Sequence, residues 1–78
     1  MTKDNKRTAK KLSMNDKRVA WAEAALTTFI RETGTDREDS LGDLLCDLMH
    51  WGRHNNFAFD LALMRAAGHY AMELVEDN

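Results

Sequence analysis

The stretch Thr35 to His54, TDREDSLGDLLCDLMHWGRH, constrains the fold more than any other part of the chain. Leu41, Leu44, Leu45 and Leu48 recur at steps of three and four, and Trp51 or Gly52 continues the line. That is the period of one helix side, and it predicts a buried leucine seam. Thr35 followed three residues later by Glu38 is a capping-box pattern, so Thr35 is expected as the N-cap and Glu38 as N3. Asp36, Glu38 and Asp39 crowd the first turn, where the helix dipole favours negative charge. Asn55 and Asn56 favour a turn and should end the helix near His54.

Two more helices flank this one. The first is expected from about Asp16 to Thr33, with Val19, Ala22, Leu26, Phe29 and Ile30 on one side and Trp21 and Ala25 widening it. Ser13 with Asp16, or Asn15, can cap its start. Gly34 is placed to close it in a left-handed conformation. The last helix is expected from Phe59 or Asp60 to about Val75. Phe59, Leu63, Ala66, Tyr70 and Leu74 form one apolar side, while Leu61, Met64, Ala67, Ala71 and Val75 cover much of the rest. Only Arg65, His69 and Glu73 make a polar strip. A helix this apolar needs more than one neighbour. Two other helices do not suffice, so a protein interface is predicted here, most simply in a two-fold homodimer. Gly68 and the alanines allow close helix approach.

Size and charge set the remaining bounds. At 78 residues there is room for one domain. Chains this short bury only roughly 60% of their unfolded surface, so one core is marginal without support. Cys46 is the single cysteine, which excludes an intrachain disulfide and suits a reducing cytoplasm. It is expected as a small core residue. No apolar run reaches membrane-spanning length, and the charged N-terminus has no apolar segment after it. Residues 1 to 18 carry seven basic side chains against two acidic ones, and the remainder carries four against eleven. Residues 1–14 therefore read as a flexible basic arm, too poor in apolar groups to order, ahead of an acidic helical domain over 15–78. Such an arm solubilises the chain or contacts nucleic acid loosely through phosphates.

The polar side of the second helix carries Asp36, Asp39, Asp43, Asp47, His50 and His54. Asp43, Asp47, His50 and His54 share one side, and a pair of them could contribute to a divalent-ion site, yet the set spans roughly 16 Å at 1.5 Å per residue. No metal site or catalytic residue is therefore assigned. There is no glycine-rich phosphate loop, nucleophile elbow or paired-cysteine motif, and no cofactor is implied. An acidic ridge on a helix can instead dock on a basic nucleic-acid-binding groove of another protein, in competition with phosphates. Asp36, Asp39, Asp43, Asp47 and His50 are the candidate partner-binding residues.

Two resemblances follow from these residues. EDSLGDLLCDLMHW, then HNNFAFDLALMRAAGHY, resembles the second half of MazG-type nucleoside triphosphate pyrophosphohydrolases, which are all-α. In that family a Glu-x-x-Asp pair on this helix binds magnesium; Asp43 matches the Asp, but Ser40 stands at the Glu position. The family's earlier Glu-Glu-x-x-Glu motif has no counterpart beyond Glu23 and Glu32. The resemblance implies a helical, associating scaffold, with a divergent magnesium-dependent pyrophosphohydrolase as the alternative reading. DLLCDLMHW with the following FDLAL and HY is similar to small proteins carried by phages, plasmids and integrative elements. Some proteins of such elements block host defences, anti-CRISPR proteins among them, by binding a defence complex. The sequence thus predicts an all-α, three-helix bundle with a flexible basic N-terminal arm, dimeric and cytoplasmic. Its expected activity is non-enzymatic inhibition of a host defence or nucleic-acid-processing complex.

Overall fold

The computed structural model describes residues 12–76, which form an all-α three-helix bundle: α1 (Met14–Thr33), α2 (Arg37–His54) and α3 (Phe59–Glu76). Among the described residues there is no strand, and no helix is long and apolar enough to cross a membrane. Most of the sequence predicted as a basic arm, residues 1–11, lies outside the described residues.

The start of α1 follows from Ser13. Its Oγ accepts from the Asp16 amide at 3.0 Å, and its own amide donates to Asp16 Oδ2 at 3.2 Å. This reciprocal pair satisfies two donors that the helix itself leaves free. It also makes Met14 the first helical residue, two positions ahead of expectation. Gly34 closes α1 at φ 73°, its amide donating to the Ile30 carbonyl at 2.8 Å. A side chain at that φ is strained, which is why glycine stands there.

The entry to α2 departs from expectation. Asp36, not Thr35, is the N-cap, and it makes no side-chain capping bond. Thr35 and Glu38 therefore form no capping box. The Thr35 hydroxyl is engaged elsewhere, donating to Asp43 Oδ2 at 2.5 Å two turns along the helix. A charged acceptor makes the stronger bond and draws the hydroxyl off the helix start. Glu38 and Asp39 remain in the first turn, as the dipole favours.

The exit of α2 is a tight reversal. Asn56 takes φ 64°, and the Phe57 amide donates to the Gly52 carbonyl at 2.8 Å, the six-to-one bond of a Schellman turn. The Asn55 amide and Nδ2 both donate to the Trp51 carbonyl, at 3.0 and 2.9 Å. Phe57 then stacks on Trp51, with ring centroids 5.2 Å apart and planes 10° from parallel. Gly52 is buried beneath this turn. A Cβ there would lie 3.1 Å from the Phe57 carbonyl oxygen and 3.7 Å from Phe59 Cβ.

The helices join at their ends and leave their apolar sides open. Among the described residues no hydrophobic side chain is buried; the buried positions are Ser40 and Gly52. The expected buried leucine seam is overturned. Leu44 is half-buried, Leu45 and Leu48 are more than a third exposed, and Leu41 and Trp51 more than half. Cys46 is likewise exposed, not a core residue. On α1, Leu26, Phe29 and Ile30 are half-buried, while Val19 and Trp21 are exposed. The reason is geometric: each helix of 18 to 20 residues carries an apolar side wider than its two neighbours cover.

Gly42 offers a simple stability test. It is inside α2, and nothing lies within 4 Å of a Cβ built on it. Gly42→Ala should raise helix stability by about 0.5–1 kcal/mol, because alanine loses less backbone entropy on folding. Urea unfolding at fixed protein concentration measures it, and a lowered midpoint would mean that another surface occupies the space beside Gly42.

Candidate protein-binding face

The file of carboxylates on α2 is the most distinctive polar feature of the folded chain. At 100° per residue, Asp36, Asp39, Asp43, Asp47, His50 and His54 fall within one quarter of the helix circumference, and every one of them is exposed. Glu38 stands on the other flank, apart from this ridge. The leucines occupy the opposite side of α2, where Leu44 is half-buried and Leu41, Leu45 and Leu48 are exposed. The alternation that gives α2 its apolar side therefore also aligns its acids.

The structure divides the predicted residues into two neighbourhoods. Asp43 and Asp47 line a cleft between the end of α1 and the middle of α2, together with Phe29, Thr33, Thr35 and Cys46. The Thr35 hydroxyl bond anchors one wall of that cleft by fixing Asp43. His50 and His54 border a separate shallow depression with Trp51, Arg53 and Asn55, at the far end of the helix. Asp36 and Asp39 sit at the helix start, where the amide dipoles already accommodate negative charge. Among the described residues, no group of three or more His, Cys, Asp or Glu side chains is arranged to hold a metal ion. The linear file along a helix explains this, since its members are spread along the axis and do not converge on a point.

Two ion-pair clusters tie the scaffold behind this face, and sequence reasoning did not find either. Arg37 at the start of α2 grips Glu23 of α1 with both guanidinium nitrogens, at 2.8 Å to Oε2 and 2.7 Å to Oε1. Thr27 adds a hydroxyl donor at 3.3 Å to Oε2. At the other end, Asn15 Nδ2 donates to the Glu73 carbonyl at 2.7 Å, joining the start of α1 to the end of α3. Arg18 lies there 3.5 Å from Glu73 and 3.6 Å from Glu76, and donates to Asn15 Oδ1 at 2.7 Å. The partners are 14 and 58 residues apart in the chain, separations that no local periodicity encodes.

The Arg37 hydrogen bonds hold the Glu23 carboxyl below its ordinary value of 4.5, against a smaller opposing effect of desolvation. The guanidinium is correspondingly pushed up, chiefly by the same hydrogen bonds. A lowered carboxyl value means that the tie contributes fully above pH 4.5 and is lost as pH falls through the lower value of the folded chain. Arg37→Ala should return Glu23 to the ordinary glutamate range. Side-chain carboxyl chemical shifts followed through an acid titration report this directly, and an unmoved Glu23 would show that the fork is not held in solution.

In comparisons with known proteins, no family model, no curated protein and no solved structure matches the chain.

Proposed function

We propose that the protein acts by binding another protein, as a non-enzymatic inhibitor of a host defence or nucleic-acid-processing complex, of the anti-CRISPR type. In this reading it works in the cytoplasm as a homodimer and presents the acidic side of α2 to a basic groove that otherwise holds nucleic acid. The observation that carries the reading is the exposed file Asp36, Asp39, Asp43 and Asp47, with His50 beyond it, on one side of a rigid helix. Such a file repeats charge at regular intervals, as a phosphate backbone does, and a groove selective for phosphates attracts it over long range. The class of target is proposed from the resemblance of DLLCDLMHW and the following FDLAL and HY to small proteins of mobile elements, together with the small size of the chain.

The test is an affinity capture of the tagged full-length chain from bacterial lysate with an expressed CRISPR system, read by mass spectrometry at moderate salt. Stoichiometric recovery of a nuclease or a guide-complex subunit is the expected result. Recovery of the bait alone, with the system confirmed present, overturns the reading for that system. Magnesium-dependent nucleotide hydrolysis that fails in Asp43→Ala would replace it with the pyrophosphohydrolase reading. Nucleic-acid affinity that disappears on removing residues 1–13 would assign the function to the basic arm instead.

A further inference from the structure

α3 carries two apolar sides, and the fold uses one of them. Its contacts within the chain come from one side: Phe59 lies beside Gly52, the Glu73 carbonyl takes the Asn15 amide, and Tyr70 and Leu74 border a groove with Val19 and Ala22 of α1. Roughly opposite on the helix circumference stand Leu61, Met64, Gly68, Met72 and Val75. The four side chains are 55, 70, 70 and 72% exposed in that order, and nothing lies within 4 Å of a Cβ built on Gly68. Leu61, Gly68 and Val75 are seven residues apart, the repeat of a helix–helix seam.

We infer that this second side of α3 pairs antiparallel with the same side of a second copy, about a two-fold axis at Gly68. The inference rests on the homodimer reading above and names its surface and register. Three observations carry it. The seam is symmetric in sequence about Gly68: Leu61 and Val75 are equally distant from it, and so are Met64 and Met72. An antiparallel pair centred there sets Leu61 on Val75 of the second copy and Met64 on Met72, with glycine on glycine at the closest point. Area is the second. At roughly 200 Å² for a fully exposed large side chain, the four residues expose about 500 Å² per chain. With the flanking Ala71 and the stem of Arg65, this reaches the ~600 Å² per partner at which specific interfaces begin.

Charge is the third observation. Arg65 and Glu76 lie on the same flank of the seam. Antiparallel pairing keeps like flanks together and inverts height, so Arg65 of one copy lies about 7.5 Å along the axis from Glu76 of the other, within reach of these two long side chains, and about 9 Å from the other Arg65. Parallel pairing about a two-fold along the helices would bring opposite flanks together, so Arg65 and Glu76 would face the uncharged flank of Met64, Ala67 and Ala71 and gain no partner. The charges therefore select the antiparallel arrangement. Gly68 in mid-helix weakens α3 as a lone helix, and close approach of a second backbone offsets that cost.

The experiment uses the full chain with Cys46→Ser, so that no native thiol competes, and compares Gly68→Cys with Gly42→Cys under mild oxidation. Both positions are open on exposed helix surface. A two-fold axis at residue 68 brings those thiols within disulfide reach. Cross-linking at 68 is expected to run about a hundredfold faster than at 42, the ratio of a millimolar effective concentration to a ~10 µM bulk one. Light scattering gives the mass in parallel: the unmodified chain should be a dimer, and Met64→Lys with Met72→Lys a monomer. A dimer whose 68 and 42 thiols cross-link at equal rates overturns this seam and leaves the homodimer reading standing. A monomeric unmodified chain at micromolar concentrations overturns both. The cross-linking comparison decides the matter even where the double lysine variant fails to fold.

Discussion

Tenfold dilution should lower the thermal unfolding midpoint of this protein by about 5 °C, an expectation that follows from mass action on a dimer. Among the described residues no hydrophobic side chain is buried within one chain, and in the proposed dimer the apolar burial that opposes chain entropy comes from the second copy. Folding is then coupled to association. Each tenfold dilution costs the dimer about 1.4 kcal/mol, and unfolding two helical domains of this size carries an entropy near 0.27 kcal/mol per kelvin. The quotient gives the shift. Circular dichroism at 222 nm, recorded across two decades of concentration, measures it. A chain that is stable alone has the same midpoint at every concentration, and that outcome would sink the coupling of folding to association. Met64→Lys with Met72→Lys should remove the concentration dependence by abolishing the dimer, leaving a chain with little helix at 25 °C.

Reversing Asp43 and Asp47 together, to lysine, should weaken capture of the target complex about a hundredfold, taking the low end of roughly 1.5 kcal/mol for each close charge pair across an interface. The two carboxylates stand four residues apart on the exposed ridge and share one cleft, so both face the same incoming groove. The cost to the fold is small. Asp43 loses the Thr35 hydroxyl bond, worth about 1 kcal/mol, and Asp47 makes no tie between helices among the bonds described above. Helicity and dimer mass should therefore be unchanged, and they serve as the control. Glu38→Lys, on the other flank of α2, should leave capture intact. Undiminished capture by the Asp43 and Asp47 double variant, with its fold verified, removes the ridge as the contact. Raised salt should weaken capture of the unmodified chain in the same direction, since a charged groove is screened.

The secondary structure was legible because its signals are local. Ser13 with Asp16, Gly34 and the Asn55–Asn56 pair marked helix ends that the structure places within two residues. Each acts through atoms at most a turn or two away, so composition and spacing carry the whole cause. The Thr35 cap failed for the opposite reason. A hydroxyl whose oxygen could accept from an amide at the helix start can instead be oriented by donating to a carboxylate, and Asp43 comes within reach only once α2 has formed. The same holds for Glu23 with Arg37 and for Asn15 with the Glu73 carbonyl, whose partners are set by how the helices cross.

The candidate site divides in the same way. That Asp36, Asp39, Asp43, Asp47 and His50 share one side of a helix is arithmetic on a period of 3.6 residues, and the sequence alone determined it. It also determined three amphipathic helices, their order and the excess of apolar surface on α3. Only the tertiary structure decided how far that surface is covered. It joined the helices through polar ties, Asn15 to the Glu73 carbonyl and Arg37 to Glu23, and left Leu41, Trp51 and the Leu61-to-Val75 seam in the open. Periodicity states which side of a helix is apolar. What covers that side depends on the crossing of separate helices, and with short helices in one small chain the covering runs out before the apolar surface does.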